Sequence, residues 1–324
     1  MLTALNQDHK LINLVTEKPD KKDIFICPCC FGKVRLKQGR VMRSHFAHVS
    51  LKNCRYFHEN ESAQHLELKA HLYRWLKQEA TVEIEASLSE LGQIADVLVN
   101  ETLALEIQCS SLPIQRLQER TKAYHEKGFE VLWLLGKKLW LKERLTSLQK
   151  QFLRFSQNMG FYLWELDLDK QMVRLRYLIH EDWHGRVQCL TKVYPFGQGN
   201  LLEIFRQPYT QQRVASFQGK LDSHLKFYIA QQLYYQSPKW MDMQAQAYEK
   251  GENLLTKSID AFYPQICLPE STIGFTQIRE NLDCYYQDFS NYYKLQKNKQ
   301  VQKLYSPAFY KEATQSIIGK KALL

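Results

Sequence analysis

Apolar residues at Leu66, Leu68, Leu72, Tyr73, Trp75 and Leu76 follow the period of a helix. "TVEIEASL", "GQIADVLV" and "LALEIQCS" then read as three strands, with Asn100-Glu101-Thr102 as a short turn between the last two. "PIQRLQERTKAYHEKG" returns to a helical pattern, in which Pro113 suits the first turn and Gly128 the stop. "FEVLWLLG" is a continuous apolar run, typical of a strand buried inside a sheet. The order is helix, three strands, helix, strand.

The hairpin register raises a chemical question. If Val99 faces Leu103, then Asp96 faces Glu106, and directly opposed residues hold their Cβ atoms roughly 4.5–5.5 Å apart. Gln108 lies on the same face as Glu106. Two carboxylates so placed repel each other and both lose water, which a structural role does not reward. A divalent cation between them removes both costs, because Mg2+ takes carboxylate oxygens and keeps waters of its own. Asp96 and Glu106 are therefore expected to hold a metal. The expectation depends on the register, since a slip of one residue puts the two acids on different faces. Glu61, His65 and Lys69 are spaced i, i+4, i+8 and are expected to share one face of the first helix.

Upstream, "CPCCFGKVRLKQGRVMRSHFAHVSLKNC" runs from Cys27 to Cys54. Cys27 and Cys30 have the C-x2-C spacing that aims two thiolates at one point. Cys29 is adjacent to Cys30 and points elsewhere. His45, His48 and Cys54 follow. The expected zinc ligands are Cys27, Cys30, His48 and Cys54, with His45 as the alternative histidine. "KVRLKQGRVMRSHFAH" reads as two strands around Gln38-Gly39. A module this small has little core, so zinc is expected to supply much of its stability. Its basic residues Lys33, Arg35, Lys37, Arg40 and Arg43 are either phosphate contacts or a solvated face.

A chain of 324 residues suits two or three modules, here 1–56, 57–185 and 186–324. The net charge of +10 favours an anionic partner, nucleic acid ahead of a membrane surface. No apolar run approaches the length of a transmembrane helix. "MLTALNQDHKLINL" lacks the features of a secretory signal, so a cytoplasmic location is expected. There the crowding of four cysteines into the first 54 residues points to metal more than to disulfides. Cys109, Cys189, Cys267 and Cys284 are scattered and expected to be small core residues.

Several of these motifs together resemble a known family. The αβββαβ order, an acid on the second strand and E-x-Q on the third are similar to the PD-(D/E)XK, or restriction-endonuclease-like, nuclease fold. "CPCC", "HFAH", "ESAQH", "ADVLV", "ALEIQCSS", the Arg116–Tyr124 segment and "EVLWLL" resemble the competence protein CoiA family. The resemblance covers most of residues 27 to 135. It implies an α/β mixed-sheet core between a small zinc-binding β module and a mainly helical C-terminal domain. It implies a cytoplasmic DNA-processing protein of natural transformation and recombination, with a Mg2+- or Mn2+-dependent nuclease centre that hydrolyses phosphodiesters. By resemblance Asp96 and Glu106 hold the metal and Glu61 completes the shell. Gln108 stands where that fold usually has a lysine. Glutamine orients a water but brings no charge, so Lys69 or His65 is expected to supply part of it. Lys69, Arg116, Arg120 and Lys122 are the candidate contacts to the DNA backbone, the bland alternative being a solvated helix face.

The C-terminal third is less informative. A hairpin is expected to turn near Asp169-Lys170, with Glu165, Asp167 and Asp169 on a solvated face. Tyr292, Tyr293, Tyr305 and Tyr310 among lysines either stack on a single strand of DNA or form an amphipathic core. The chief alternative to a nuclease is a catalytically inactive DNA-binding accessory factor that assists a recombinase or helicase. A third reading, a zinc-stabilised interaction module, leaves the acid pair unused.

Overall fold

The computed structural model describes residues 1–40, 42–50, 54, 61–210 and 213–321, with side chains described as far as 314. The N-terminal module is a five-stranded sheet. Its strands are β1 (Thr3–Leu5), β2 (Leu11–Asn13), β3 (Phe25–Ile26), β4 (Lys33–Lys37) and β5 (His45–His48), in the order β2-β1-β3-β4-β5. The β4–β5 pair is the hairpin expected around Gln38-Gly39, in register from Val34↔His48 to Lys37↔His45. The first three strands carry no strong pattern and were not anticipated. The module's core is small: Ala4, Ile12, Phe25, Cys27, Val34 and Phe46.

The second unit has the expected αβββαβ order. Its elements are α1 (Ala63–Leu76), β6 (Val82–Leu88), β7 (Gln93–Val99), β8 (Leu103–Gln108), α2 (Ile114–Glu126) and β9 (Glu130–Leu135). Antiparallel β6-β7-β8 joins β9, which runs parallel to β8. The mixed sheet continues through β10 (Arg154–Ser156), β11 (Gly160–Asp167), β12 (Met172–Asp182) and β13 (Val187–Pro195). Strand β13 belongs to this sheet although it lies past residue 185. Alternation along the strands buries both faces. Leu68, Leu72, Trp75 and Leu76 of α1 pack with Val97, Val99, Leu105 and Ile107. Leu117 and Tyr124 of α2 pack with Leu98, Ala104, Val131 and Trp133. Pro113 caps α2, and Gly128, at φ +80°, follows its end in the left-handed conformation that glycine adopts freely.

In β6 and β7 the alternation breaks at one shared place, and that place forms the site. Ile84 packs with α1 residues, whereas Ala86 packs on the α2 side. Val97 packs with α1, whereas Ala95 packs on the α2 side. Residues two apart on a regular strand share a face, so both strands twist over at Glu85 and Asp96. The pairs Ile84↔Val97 and Ala86↔Ala95 flank this point, and Glu85 has φ +54°. The twist frees two carboxylates from the packed faces of the sheet.

The C-terminal part is mainly helical, with α5 (Leu225–Tyr234), α6 (Pro238–Glu249), α7 (Asp283–Lys294) and α8 (Pro307–Lys321) following the short α3 (Ser147–Gln151) and α4 (Leu201–Arg206). Among the described residues no helix is long and apolar enough to cross a membrane. Tyr293 and Tyr310 are buried, and Tyr292 and Tyr305 pack against the same core, so these rings are core rather than a stacking surface. Cys284 is exposed rather than in the core.

Of the acids of the β11–β12 hairpin, Asp169 is exposed as expected and the other two are not. Glu165 and Asp167 are 0% and 2% exposed, not solvated. Arg174 on the paired strand bonds both, Nε to Glu165 at 3.0 Å and Nη1 to Asp167 at 3.1 Å, while its guanidinium lies over the Trp140 ring. Arg174→Ala removes the one guanidinium that bonds both buried acids, leaving Arg176 as a more remote charge for Glu165. It is expected to cost about 3–5 kcal/mol, read as a shift in denaturant midpoint.

Candidate metal centres in one cleft

The zinc-type cluster is built by the turn between β3 and β4. The Cys27 N–H donates to Gly32 O (2.9 Å) and the Phe31 N–H to Cys27 O (3.0 Å), closing the turn. The Cys29 N–H points at Cys27 Sγ and the Gly32 N–H at Cys30 Sγ, each at 3.4 Å. Cys30 Sγ lies 3.4 Å from His48 Nε2. Cys27, Cys30, His48 and Cys54 each place a ligand atom within 4.8 Å of the others. Three thiols, one imidazole and amide donors to sulfur fit a four-coordinate zinc ion. His45 lies elsewhere, its Nδ1 on Arg43 O at 2.9 Å. The histidines are three positions apart, and positions an odd number apart on a strand face opposite ways, so β5 offers one to the cluster.

The acidic cluster faces the same cleft, of about 1420 Å³, whose walls include Cys27, His48, Glu61, His65, Asp96 and Glu106. Ser62 caps α1, its Oγ accepting from the His65 N–H, so Glu61 precedes the helix rather than sharing its face. Even so, Glu61, His65 and Asp96 place ligand atoms within 4.8 Å of one another. His65 Nε2 meets Asp96 Oδ2 at 2.9 Å, and Nδ1 lies 3.3 Å from Glu61 Oε1. Lys69, 1% exposed, directs its ammonium at Glu61, at Glu85 (2.5 Å) and at Asp96 (3.7 Å). Buried there, Lys69 is a fixed charge inside the cluster and not a surface contact for DNA.

The β7–β8 register matches the expected one from Val99↔Leu103 to Val97↔Leu105. The two acids nevertheless go to different partners. Asp96 Oδ2 accepts the Ile107 N–H at 2.8 Å, taking a place in the ladder. Glu106 turns to α2, where Oε1 accepts from Arg120 Nη2 (2.7 Å) and from the Tyr124 hydroxyl. The three-residue ligand group therefore contains Asp96 but not Glu106. Gln108 donates its amide to Ser110 O at 2.7 Å. Arg116 and Arg120 line the cleft, the latter held by Glu106 and by Gln93 Oε1 at 3.1 Å. Lys122 is exposed and pairs with Glu126 at 3.5 Å, away from the cleft lining.

The charges answer to this geometry. Burial works to raise the Glu61 carboxyl, but Lys69, the chain's amino terminus and His65 hold it below the usual carboxylate range. Burial likewise opposes ionisation of Asp96, and His65 and Lys69 overcome it. Glu106 is pushed up to about 7, chiefly by burial, against the pull of Arg120 and with the Asp96 charge adding to the rise. For Glu61 and Asp96 the native carboxylate is favoured, so their contribution to stability exists above about pH 4 and is lost as pH falls through the lowered values. The melting temperature is expected to fall steeply below pH 4, and Asp96→Asn to flatten that acid limb.

Comparison with known proteins adds three findings. Residues 61–208 match a family model described as competence protein CoiA, nuclease-like domain, and residues 9–57 one described as competence protein CoiA, N-terminal domain. The competence protein CoiA of Bacillus subtilis (strain 168) is 37% identical over 120 residues, which is 36% of this chain and 32% of that protein. The match thus spans about a third of the relative's length. No solved structure matches.

Proposed function

This chain belongs to the competence protein CoiA family, and from that premise we propose that it cuts phosphodiester bonds in DNA during natural transformation, with the acidic cleft as a metal-dependent centre. One observation carries the reading. Glu61, His65 and Asp96 converge at the twist in the sheet, with the Lys69 ammonium 3.7 Å from Asp96. These three residues would hold Mg2+ or Mn2+, which when bound would supply charge to the phosphate and lower the pKa of a water. Lys69 provides the fixed positive charge that E-x-Q lacks. The Gln108 amide N–H2 is committed to Ser110, and its oxygen orients the water. Arg116 and Arg120 on the cleft wall hold the backbone of single-stranded or branched DNA. Zinc at Cys27, Cys30, His48 and Cys54 is structural.

An imidazole among the donors suits Mn2+ better than Mg2+. Cleavage is expected to run about tenfold faster in Mn2+ than in Mg2+ at equal concentration, a preference set by ligand softness. Electron paramagnetic resonance should find one Mn2+ site per zinc-loaded chain, absent from Asp96→Asn. A protein that takes up no Mn2+ would refute this use of the cleft.

The engagement of Glu106 with Arg120 and Tyr124, and glutamine at position 108, favour a second reading. In it the centre is a scaffold, the protein binds DNA without cutting, and a recombinase or helicase does the work. Salt-sensitive binding with no cleavage under any divalent ion is its signature.

A further inference from the structure

We propose that Glu85 is a positioning residue of the centre, through which the N-terminal strand holds Lys69 at a fixed distance from Asp96. Glu85 sits opposite Asp96 at the twist, with φ +54°. That conformation strains a residue with a side chain, and such strain persists only where the surroundings impose it. Glu85, 9% exposed, accepts from the Leu2 N–H (2.7 Å), the Thr3 N–H (2.9 Å), Thr3 Oγ1 (2.9 Å) and Lys69 Nζ (2.5 Å). Leu2 is fully buried among Leu66, Ala70, Tyr73 and Ile84, which plugs β1 into α1 and β6. Leu2 and Thr3 precede both segments matched to known domains.

The arrangement has a consequence for Asp96. Lys69 has three N–H groups and three acids around it. Glu61 and Glu85 bond it closely, and Asp96 stands off at 3.7 Å. With Glu85 pinned by two amides and a hydroxyl, the ammonium rests on Glu61 and Glu85 and stays 3.7 Å from Oδ1 of Asp96, a residue of the cleft wall. Remove the Glu85 charge and the lysine turns to Asp96, competing with any cation there. The N-terminal module is in this way part of the centre, because its first strand sets where Lys69 rests.

The activity arm of the test rests on the nuclease reading; the exchange arm does not. In Glu85→Gln, full-length and zinc-loaded, we expect zinc content to persist and amide exchange at Leu2 and Thr3 to accelerate. Mn2+ affinity and kcat should each fall about tenfold with KM for DNA unchanged, as for loss of a group that orients a metal ligand. Thr3→Val removes only the hydroxyl bond and should move exchange and Mn2+ affinity the same way by a smaller factor. It decides the matter if Glu85→Gln does not fold. Parent-like exchange or parent-like Mn2+ affinity in a folded Glu85→Gln, or in Thr3→Val if only that variant folds, would overturn the proposal. If the parent itself neither binds Mn2+ nor cuts DNA, the nuclease reading fails, and exchange alone decides whether Glu85 ties the strand to Lys69.

Discussion

An Asp96→Asn protein is expected to fold, to bind DNA within a few-fold of the parent, and to cut it at least ~1000-fold more slowly, a loss of about 4 kcal/mol in transition-state stabilisation. Asparagine keeps an oxygen to accept the Ile107 N–H, so the strand junction survives. It removes the charge that faces His65 and stands near Lys69. The cluster then presents more positive charge and one ligand fewer, which disfavours a divalent cation twice over. The substitution does not touch Arg116 and Arg120 of α2, the proposed contacts to DNA, so affinity and rate should separate. Single-turnover cleavage beside fluorescence anisotropy checks this, and parent-like cutting would place the chemistry elsewhere.

The second large effect belongs to the zinc-type cluster. Cys30→Ser is expected to lose zinc and unfold the module over residues 1–54, while the unit from residue 61 onward keeps its two-sided core. The module buries few apolar side chains. Structural zinc contributes on the order of 10 kcal/mol in domains of that size, far more than such a core supplies. Metal analysis and limited proteolysis should show zinc absent and cleavage confined to the first 60 or so residues. The same assay separates the histidines. His48→Ala should lose zinc and His45→Ala keep it, because His48 and not His45 lies beside the three cysteines. Cleavage of DNA should fall as well in Cys30→Ser, since the unfolded module withdraws Leu2 and Thr3 from Glu85.

Much of this site was legible before the structure. Periodicity located α1, the three strands, α2 and β9, and the hairpin register followed from counting back from the turn. The cysteine and histidine spacing singled out the four residues that cluster. Glu85 was not legible. In "TVEIEASL" it alternates with Glu83 and reads as an ordinary outward acid, and nothing local announces a positive φ. The divergence of Asp96 and Glu106 was hidden for a related reason. Register fixes where two Cα atoms lie, whereas the partners on α1 and α2 decide where the carboxylates go. Arg174 was hidden too, because an alternation of acids looks solvated until the strand beside it is known. Glu61, His65 and Lys69 were grouped by helical spacing, and they do converge, although Glu61 reaches the group from ahead of the cap.

Whether the cleft cuts DNA is decided by cleavage itself. Purified zinc-loaded protein should be incubated with end-labelled single-stranded, duplex and branched DNA, in Mn2+, Mg2+ or EDTA. At least one substrate should be cut in a reaction that requires the divalent ion, is strongest in Mn2+ and disappears with Asp96→Asn. Intact DNA in every lane, from a protein that retains its zinc and binds the same DNA, would contradict the nuclease reading.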